Sequence, residues 1–179
     1  PFVCGSFMMR CISTSFPLRS MLSPLFPPVT ASGPLKKKEK LTVVTNSIEV
    51  MLEVSDMKGW NIIVPGGSIK DGILALVGPK ATEGIGAYHV EKSIISCKGF
   101  QMDRGFYDNN EEFVHTKQKM LASGKTRILA VDSTKFGQNA FSKVGDLKDI
   151  DIVVTDVKPD DRTLDLFEQA NVQCIYPEE

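Results

Sequence analysis

A run of four polar residues, Asp132-Ser133-Thr134-Lys135, directly follows the apolar run 127–131. An ammonium group attracts an anion, whereas carboxylate and hydroxyl oxygens accept hydrogen bonds from the hydroxyl groups of a small ligand. The apolar run itself is rich in aliphatic residues without polar alternation, which is typical of a buried strand. The pattern therefore predicts a strand that ends in a ligand site.

Polar residues or glycines also follow several other apolar runs. In an open α/β sheet, ligands bind beyond the carboxyl ends of the strands, because the loops converge there and helix N-termini point there. Each group has a local alternative, since the Thr-Asn-Ser sequence can cap a helix, the two glycines can form a turn, and Asp156 can either cap a helix or hold a loop. Because polar residues or glycines follow several of the predicted strands, we favour one ligand site that these residues share. The candidates are Thr45, Asn46, Ser47, Gly66, Gly67, Lys98, Gly99 and Asp156.

The segment 109–121 is predicted to be a helix with one apolar stripe, and Lys117 falls at the centre of that stripe. This lysine can extend its side chain to the solvent at the edge of the stripe, or it can direct its ammonium group to an anionic ligand or to Asp132. Both interpretations stay open from the sequence alone. The stripe consists of Phe113, Val114, Met120 and Leu121.

Glu112 lies in the first turn of the same helix, away from the stripe. Its carboxylate can interact favourably with the helix dipole, or it can project into the ligand crevice. His115 lies opposite the stripe, which favours a solvent-exposed position. The sequence contains no Ser-His-Asp order, HExxH motif, Walker loop or GxGxxG motif. It therefore predicts no cofactor, no metal ion and no catalytic residue.

The composition excludes several classes of protein. The chain has 179 residues, of which 42% are hydrophobic and 24% charged, and this is typical of one globular domain. A net charge of −1 gives no basic field that would attract nucleic acid or an anionic membrane. The four cysteines form no CxxC pair, which argues against structural zinc. The apolar runs are shorter than the ~18 residues of a membrane span, so we expect a cytoplasmic protein.

From Leu41 onward, apolar runs alternate with helix candidates. Aliphatic runs suit strands that are covered on both faces, and the intervening segments can hold crossover helices. We therefore expect a three-layer α/β fold with a mainly parallel sheet and helices on both faces. The predicted strands are 41–47, 60–67, 93–99, 127–133, 151–156 and 172–177. The predicted helices are 48–57, 80–88, 110–123 and 161–170, with Gly124 as the C-cap of the third.

Residues 1–34 differ from the rest of the chain. The first acidic residue is Glu39, although the chain contains 22 acidic residues, and the segment is rich in Ser, Pro and Phe. A transit peptide has a similar composition, but the prolines would break its helix. We expect residues 1–34 to be an irregular lead-in or an altered sequence, and residues 35–179 to form the α/β domain.

Six sequence blocks follow one another in an order that resembles a known family. The blocks are VVTNS, VPGGSIK, LVGPKA, KGFQMDRGFYDNNEEFVHTK, AVDSTKFG and DIVVTD. Together they resemble the effector-sensing domain of the DeoR family of bacterial sugar-responsive transcriptional repressors. The resemblance implies a fold similar to ribose-5-phosphate isomerase, in which an Asp-x-Ser-Lys stretch also ends a strand. It further implies a site for a phosphorylated sugar or a sugar-derived metabolite.

The resemblance also implies roles for individual residues. Lys117 and Lys135 would contact the anion, and Asp132 and Glu112 would bind hydroxyl groups. The positions that line the pocket or shape its loops would be Asn46, Gly67, Gly99, Glu112, Lys117, Asp132, Ser133 and Lys135. Lys98, which follows one of the predicted strands, completes the predicted ligand-binding set. The implied partners are the effector, further copies of the chain in a dimer or tetramer, and DNA, which would be contacted only through a separate winged helix-turn-helix domain. Two alternatives stay open: a sugar-phosphate isomerase with Glu112 as its base, and an oligomerisation domain with a vestigial pocket.

The sequence departs from the family pattern in two ways. Residues 1–34 do not resemble the DNA-binding domain, so we expect that domain to be absent from this chain. The family also has a strand and an Asp-Ser-Gly/Ser-Thr loop about 20 residues before the TNS block, and this loop cradles the phosphate. The corresponding interval here contains no such loop, which predicts a pocket without its main phosphate cradle.

Overall fold

A seven-stranded sheet forms the centre of the molecule. The computed structural model describes residues 2–4, 40–70 and 73–177. All neighbouring strands of this sheet are parallel. The prediction of a mainly parallel sheet is therefore confirmed. In their order across the sheet, the strands are β12 (Gln173–Ile175), β11 (Ile152–Val154), β9 (Gly124–Ala130), β6 (Val90–Ile95), β1 (Phe2–Cys4), β2 (Leu41–Thr45) and β3 (Trp60–Ile63).

Two small antiparallel sheets and four helices complete the described fold. The first small sheet is a hairpin of β4 (Ser68–Lys70) and β5 (Ile73–Val77). The second contains β7 (Gly99–Gln101), β8 (Gly105–Asp108) and β10 (Ser142–Gly145). The four predicted helices are confirmed, and they are α1 (Ile48–Val54), α2 (Pro79–Gly86), α3 (Glu111–Ser123) and α4 (Asp161–Gln169). No helix in the described residues is long and apolar enough to cross a membrane.

The large sheet is covered by helices on both faces. Successive side chains of a strand point to opposite faces, so in β9 Ile128 and Ala130 belong to one hydrophobic cluster and Leu129 to the other. Helix α1 contributes Val50 to the cluster that contains Ile128. Helices α2, α3 and α4 pack against the opposite face. Their buried residues there include Ile85, Met120 and Phe167. The predicted three-layer architecture is therefore confirmed.

One strand of the large sheet lies within the expected irregular lead-in. Phe2–Cys4 forms β1, which pairs in parallel with β2 on one side and with β6 on the other. The rest of 1–34 lies outside the described residues, as does the interval where the family has its phosphate loop, so the division of the chain into a lead-in and a domain stays a prediction. The run FVC is compatible with a strand, because its residues have high β-propensity, but three residues are too few to predict one.

Gly124 is the C-cap of α3, as predicted, but not in the conformation that glycine usually adopts there. Gly124 follows the last helical residue, but its backbone is extended (φ −91°, ψ 134°) and it already belongs to β9. It therefore does not form the left-handed C-cap that glycine usually forms at a helix end. A side chain here would collide with the neighbouring strand, because a Cβ atom on Gly124 would lie 2.4 Å from Cβ of Ser93. Close packing of β9 against β6 therefore explains this glycine.

Candidate functional site

The ends of β2, β3, β6, β9 and β11 lie at one edge of the large sheet, because these strands are parallel. We call this the carboxyl edge. The pairing of β9 with β11 places Ala130 opposite Val154, and the backbone N–H of Val131 extends the ladder by donating to the carbonyl of Val154 at 2.9 Å. The polar residues that follow β9 and β11 therefore begin at the same level along the two strands. The Asp-Ser-Thr-Lys run and Asp156 thus lie side by side.

The residues Ser133–Lys135 form a single 3-10 turn, and Asp132, which directly precedes it, is its N-cap. The Asp132 carboxylate accepts hydrogen bonds from the backbone N–H of Thr134 at 3.1 Å and from the Thr134 hydroxyl. It also lies 3.5 Å from Nζ of Lys135. Partial burial raises the pKa of Asp132, but these hydrogen bonds and the Lys135 charge outweigh that effect and hold the pKa below its ordinary value. The carboxylate is therefore charged at neutral pH.

Asp156 joins the end of β11 to this turn. Its Oδ1 atom accepts a hydrogen bond from the backbone N–H of Ser133 at 2.6 Å, and its Oδ2 atom lies 3.4 Å from the Ser133 hydroxyl oxygen. The sequence left open whether Asp156 caps a helix or holds a loop. The structure shows that its carboxylate holds the loop of the adjacent strand.

Asn46 follows β2 and connects it to the small hairpin. Its backbone carbonyl accepts a hydrogen bond from the N–H of Leu76 at 2.8 Å, and its side-chain Nδ2 donates to the Leu76 carbonyl at 2.9 Å. The residue is only 1% exposed, yet its Oδ1 atom accepts no hydrogen bond from any residue that the structure describes. Ser47 is the N-cap of α1 and accepts a hydrogen bond from the N–H of Val50 at 3.3 Å, so the capping interpretation of Thr-Asn-Ser holds for the serine.

Gly66 and Gly67 lie in the irregular loop after β3. Both have positive φ angles, of 81° and 119°, a conformation that glycine adopts without strain. A Cβ atom on Gly67 would lie 2.7 Å from the Val77 carbonyl oxygen and 3.0 Å from Cβ of Ala81. Gly67 therefore allows the loop after β3 to lie against the start of α2.

Lys98 and Gly99 follow β6. The backbone N–H of Lys98 donates to the Tyr107 carbonyl at 2.9 Å, and the Lys98 residue is exposed. Gly99 begins β7, and a Cβ atom there would lie 2.5 Å from the backbone oxygen of Gln138. Gly99 thus allows the loop that follows the Asp-Ser-Thr-Lys turn to pack against β7. Its function in the structure is to shape a loop.

Lys117 is buried, and its ammonium group forms an ion pair with the carboxylate of Asp108 at the end of β8. Both side chains are 7% exposed, so Lys117 does not extend to the solvent, and its partner is not Asp132. Asp108 is not among the residues that the sequence singles out, because its pairing depends on how β8 packs against α3. Whether Lys117 also contacts an anion stays a prediction.

Cys97 lies in the loop after β6 and is buried. Burial raises the pKa of its thiol to about 12, and the thiol is also subject to the charges of Lys117, Asp108 and Lys135. The ion pair of Lys117 and the turn after β9 are therefore both near this buried thiol.

The remaining predicted residue, Glu112, is half-buried in the first turn of α3. The helix begins with Asn110, whose side chain accepts hydrogen bonds from the N–H groups of Glu112 and Phe113. A role of the Glu112 carboxylate in ligand binding stays a prediction. His115 is exposed, as its position opposite the stripe predicts.

A groove of about 410 Å³ lies in a different part of the molecule, between α4 and the edge strand β12. It is lined by residues such as Phe167, Glu168 and Cys174. None of the predicted site residues lines this groove. The convergence of polar groups, rather than this groove, identifies the candidate site.

Comparison with known proteins shows the family to which the chain belongs. The family model described as "DeoR C terminal sensor domain" matches residues 32–157. An HTH-type transcriptional regulator of Bacillus subtilis, YulB, is 34% identical over 134 residues, which are 75% of this chain and 52% of that protein. The HTH-type transcriptional repressor GlcR of the same organism is 31% identical over 77% of this chain and 53% of its own length. The glycerol-3-phosphate regulon repressor of Escherichia coli is 23% identical over 82% of this chain and 58% of its own length.

The chain thus spans about half the length of the curated relatives that it matches. These relatives are named as transcriptional regulators and not as enzymes. The predicted resemblance is confirmed over most of the chain. The chain belongs to the family of DeoR C-terminal sensor domains.

Proposed function

We propose that this chain binds a phosphorylated sugar or a sugar-derived metabolite and that binding changes the affinity of an attached helix-turn-helix domain for DNA. The chain would act in the cytoplasm as part of a regulator of carbohydrate metabolism. A sensor of this kind needs only a difference in effector affinity between two states, and it needs no catalytic residues. The name of one relative, the glycerol-3-phosphate regulon repressor, refers to a phosphorylated three-carbon compound and supports this class of ligand.

The observation that carries the proposal is the chemistry of the carboxyl edge. The buried Oδ1 atom of Asn46 accepts no hydrogen bond within the described part of the chain, and a buried acceptor of this kind is normally satisfied. A ligand hydroxyl group can donate to it. Lys135 and Lys98 supply ammonium groups for an anion, and Asp132 supplies a carboxylate that can accept hydrogen bonds from hydroxyl groups. A ligand with both hydroxyl groups and an anionic group matches this set.

A thermal-shift measurement against sugar phosphates and the corresponding free sugars tests the proposal. A phosphorylated ligand at 100 times its Kd should add about 2.7 kcal/mol to the free energy of unfolding. The substitution Lys135→Met should weaken binding at least ~10-fold, because a hydrogen bond to a charged group is worth ~1.5–3 kcal/mol. Lys125→Met is the matched control. Lys125 is an exposed lysine near the start of β9, whereas Lys135 lies in the turn that follows the end of β9. Stabilisation by no phosphorylated compound would favour the vestigial-pocket alternative.

We also propose that the chain self-associates as a dimer or a tetramer. A repressor with two-fold symmetry matches an operator with repeated half-sites, and closed symmetric assemblies are the commonest kind of soluble oligomer. Sedimentation velocity over a range of protein concentrations measures the mass of the assembly directly. A monomer at all concentrations would contradict this part of the proposal.

A further inference from the structure

Asp156 is a carboxylate at the carboxyl edge that is not among the pocket positions implied by the family resemblance. Its Oδ1 atom accepts the backbone N–H of Ser133 at 2.6 Å and the Thr155 hydroxyl at 3.3 Å, and its Oδ2 atom lies 3.4 Å from the Ser133 hydroxyl. The short bond to the Ser133 N–H is of the charge-assisted kind, which is stronger than a bond between neutral groups. Asp156 therefore binds the backbone of the adjacent crossover unit.

The usual local role of an acid in this loop is already filled by another residue. Asp160 is the N-cap of α4 and accepts the N–H of Thr163 at 2.7 Å. Asp156 is therefore not needed to begin α4. Its hydrogen bonds cross from β11 to the turn after β9, at the site where the proposed ligand binds.

The other N–H groups of this turn are also bonded within the protein. The Thr134 N–H donates to the Asp132 carboxylate at 3.1 Å, and the Lys135 N–H donates to the Asp132 carbonyl at 3.0 Å. With the Ser133 N–H bonded to Asp156, the turn uses all three of these donors internally. An anion at this turn must then be bound by side chains, above all by the ammonium group of Lys135. The direction of that side chain depends on the backbone that Asp156 holds.

We propose that Asp156 is a positioning residue. Through the Ser133 N–H it fixes the turn Ser133–Lys135, so that Asp132 and Lys135 present their side chains to the effector. Asp156 itself does not contact the effector. This inference rests on the proposed function, because it concerns the same site. It assigns a specific function to a residue that contributes no ligand contact.

The test compares the wild-type chain with Asp156→Ala, Asp156→Asn and the control Asp160→Ala, using ribose 5-phosphate and inorganic phosphate as probes in calorimetric titrations. We expect Asp156→Ala to weaken the binding of ribose 5-phosphate about tenfold. Asp156→Asn should stay within about threefold of wild type, because an amide oxygen can still accept the Ser133 N–H. Asp160→Ala should lower the thermal midpoint and leave the affinity unchanged. Equal affinities of Asp156→Ala and wild type, or an equal loss in Asp160→Ala, would overturn the proposal.

Amide hydrogen exchange of Ser133, measured by NMR, separates this inference from the proposed function. We expect this amide in the wild-type chain to exchange at least about tenfold more slowly than in an unstructured peptide. Asp156→Ala should remove that protection, whereas Asp160→Ala should keep it. If neither these probes nor any sugar phosphate of the thermal-shift panel binds the wild-type chain, the proposed function fails, and the exchange of Ser133 still decides whether Asp156 fixes the turn. An unprotected Ser133 amide in the wild-type chain would overturn the positioning role, and this outcome does not depend on whether any variant folds.

Discussion

The buried ion pair between Lys117 and Asp108 is the feature whose removal we expect to be most costly. Both side chains are 7% exposed, so neither charge can be hydrated where it lies. The substitution Lys117→Met removes the ammonium group but keeps a chain of similar length that fills the same space. It leaves the Asp108 carboxylate buried without its counter-charge.

Removal of one partner from a buried pair of this kind typically costs about 3–5 kcal/mol of folding free energy. The double substitution Lys117→Met, Asp108→Asn removes both charges. It should therefore be more stable than Lys117→Met alone, and the interaction energy of a double-mutant cycle should be about 0.5–3 kcal/mol. The exposed pair Lys143 and Asp146 is the matched control, because its atoms lie 2.5 Å apart and its side chains are 45% and 41% exposed. Breaking that exposed pair should have a much smaller effect.

Urea unfolding followed by circular dichroism measures these free energies. A loss of less than about 1 kcal/mol for Lys117→Met would refute the reasoning, because it would indicate that the Asp108 carboxylate is hydrated in solution rather than buried. A double variant that is less stable than the sum of the two single variants predicts would also contradict it. Unchanged slopes of the unfolding curves would show that the variants unfold from comparable states.

Three further predictions concern other parts of the molecule. Hydrogen bonds from the guanidinium group of Arg127 hold the pKa of Asp151 below its ordinary value. This pair therefore stabilises the fold above about pH 5 and loses its effect as the pH falls through the lowered pKa. Acid unfolding should show a smaller loss of stability in Asp151→Asn than in wild type. Burial raises the pKa of Cys97 to about 12, so at pH 8 iodoacetamide should label it only after unfolding, and mass spectrometry would reveal any contrary labelling. Gly67→Ala should lower the free energy of unfolding by more than ~1 kcal/mol, because φ at this position is 119° and the Cβ atom of the alanine would lie 2.7 Å from the Val77 carbonyl oxygen. An unchanged midpoint of thermal unfolding would contradict this prediction.

The large sheet and the four helices could be predicted from the sequence because their signals are local. The aliphatic runs of β9 and β11 have no polar alternation, and helix α3 has a clear apolar stripe. The small sheets could not be predicted, because β4, β7 and β10 have three or four residues each, and β10 pairs with β8, which lies far from it in the sequence. The strand Phe2–Cys4 is equally short, and its partners β2 and β6 follow much later in the chain.

The candidate site could be predicted in part for the same reason. The sequence reveals which residues follow each strand, and a parallel sheet brings those residues to one edge. It does not reveal which polar groups bind each other there. The partner of Lys117 is Asp108, and Asp156, which follows β11, accepts a hydrogen bond from Ser133, which follows the adjacent strand β9. Both contacts depend on the packing of separate elements. Which of these groups contact a ligand stays a prediction.

The most direct measurement of the site's location is an NMR titration of the isotope-labelled chain with ribose 5-phosphate, in which backbone amide shifts are followed residue by residue. We predict saturable changes at the carboxyl edge, at Asn46, Lys98 and Ser133, and no changes near Lys125 at the opposite end of β9. Saturable changes that are confined to the groove between α4 and β12 would contradict the assignment of the effector site to the carboxyl edge.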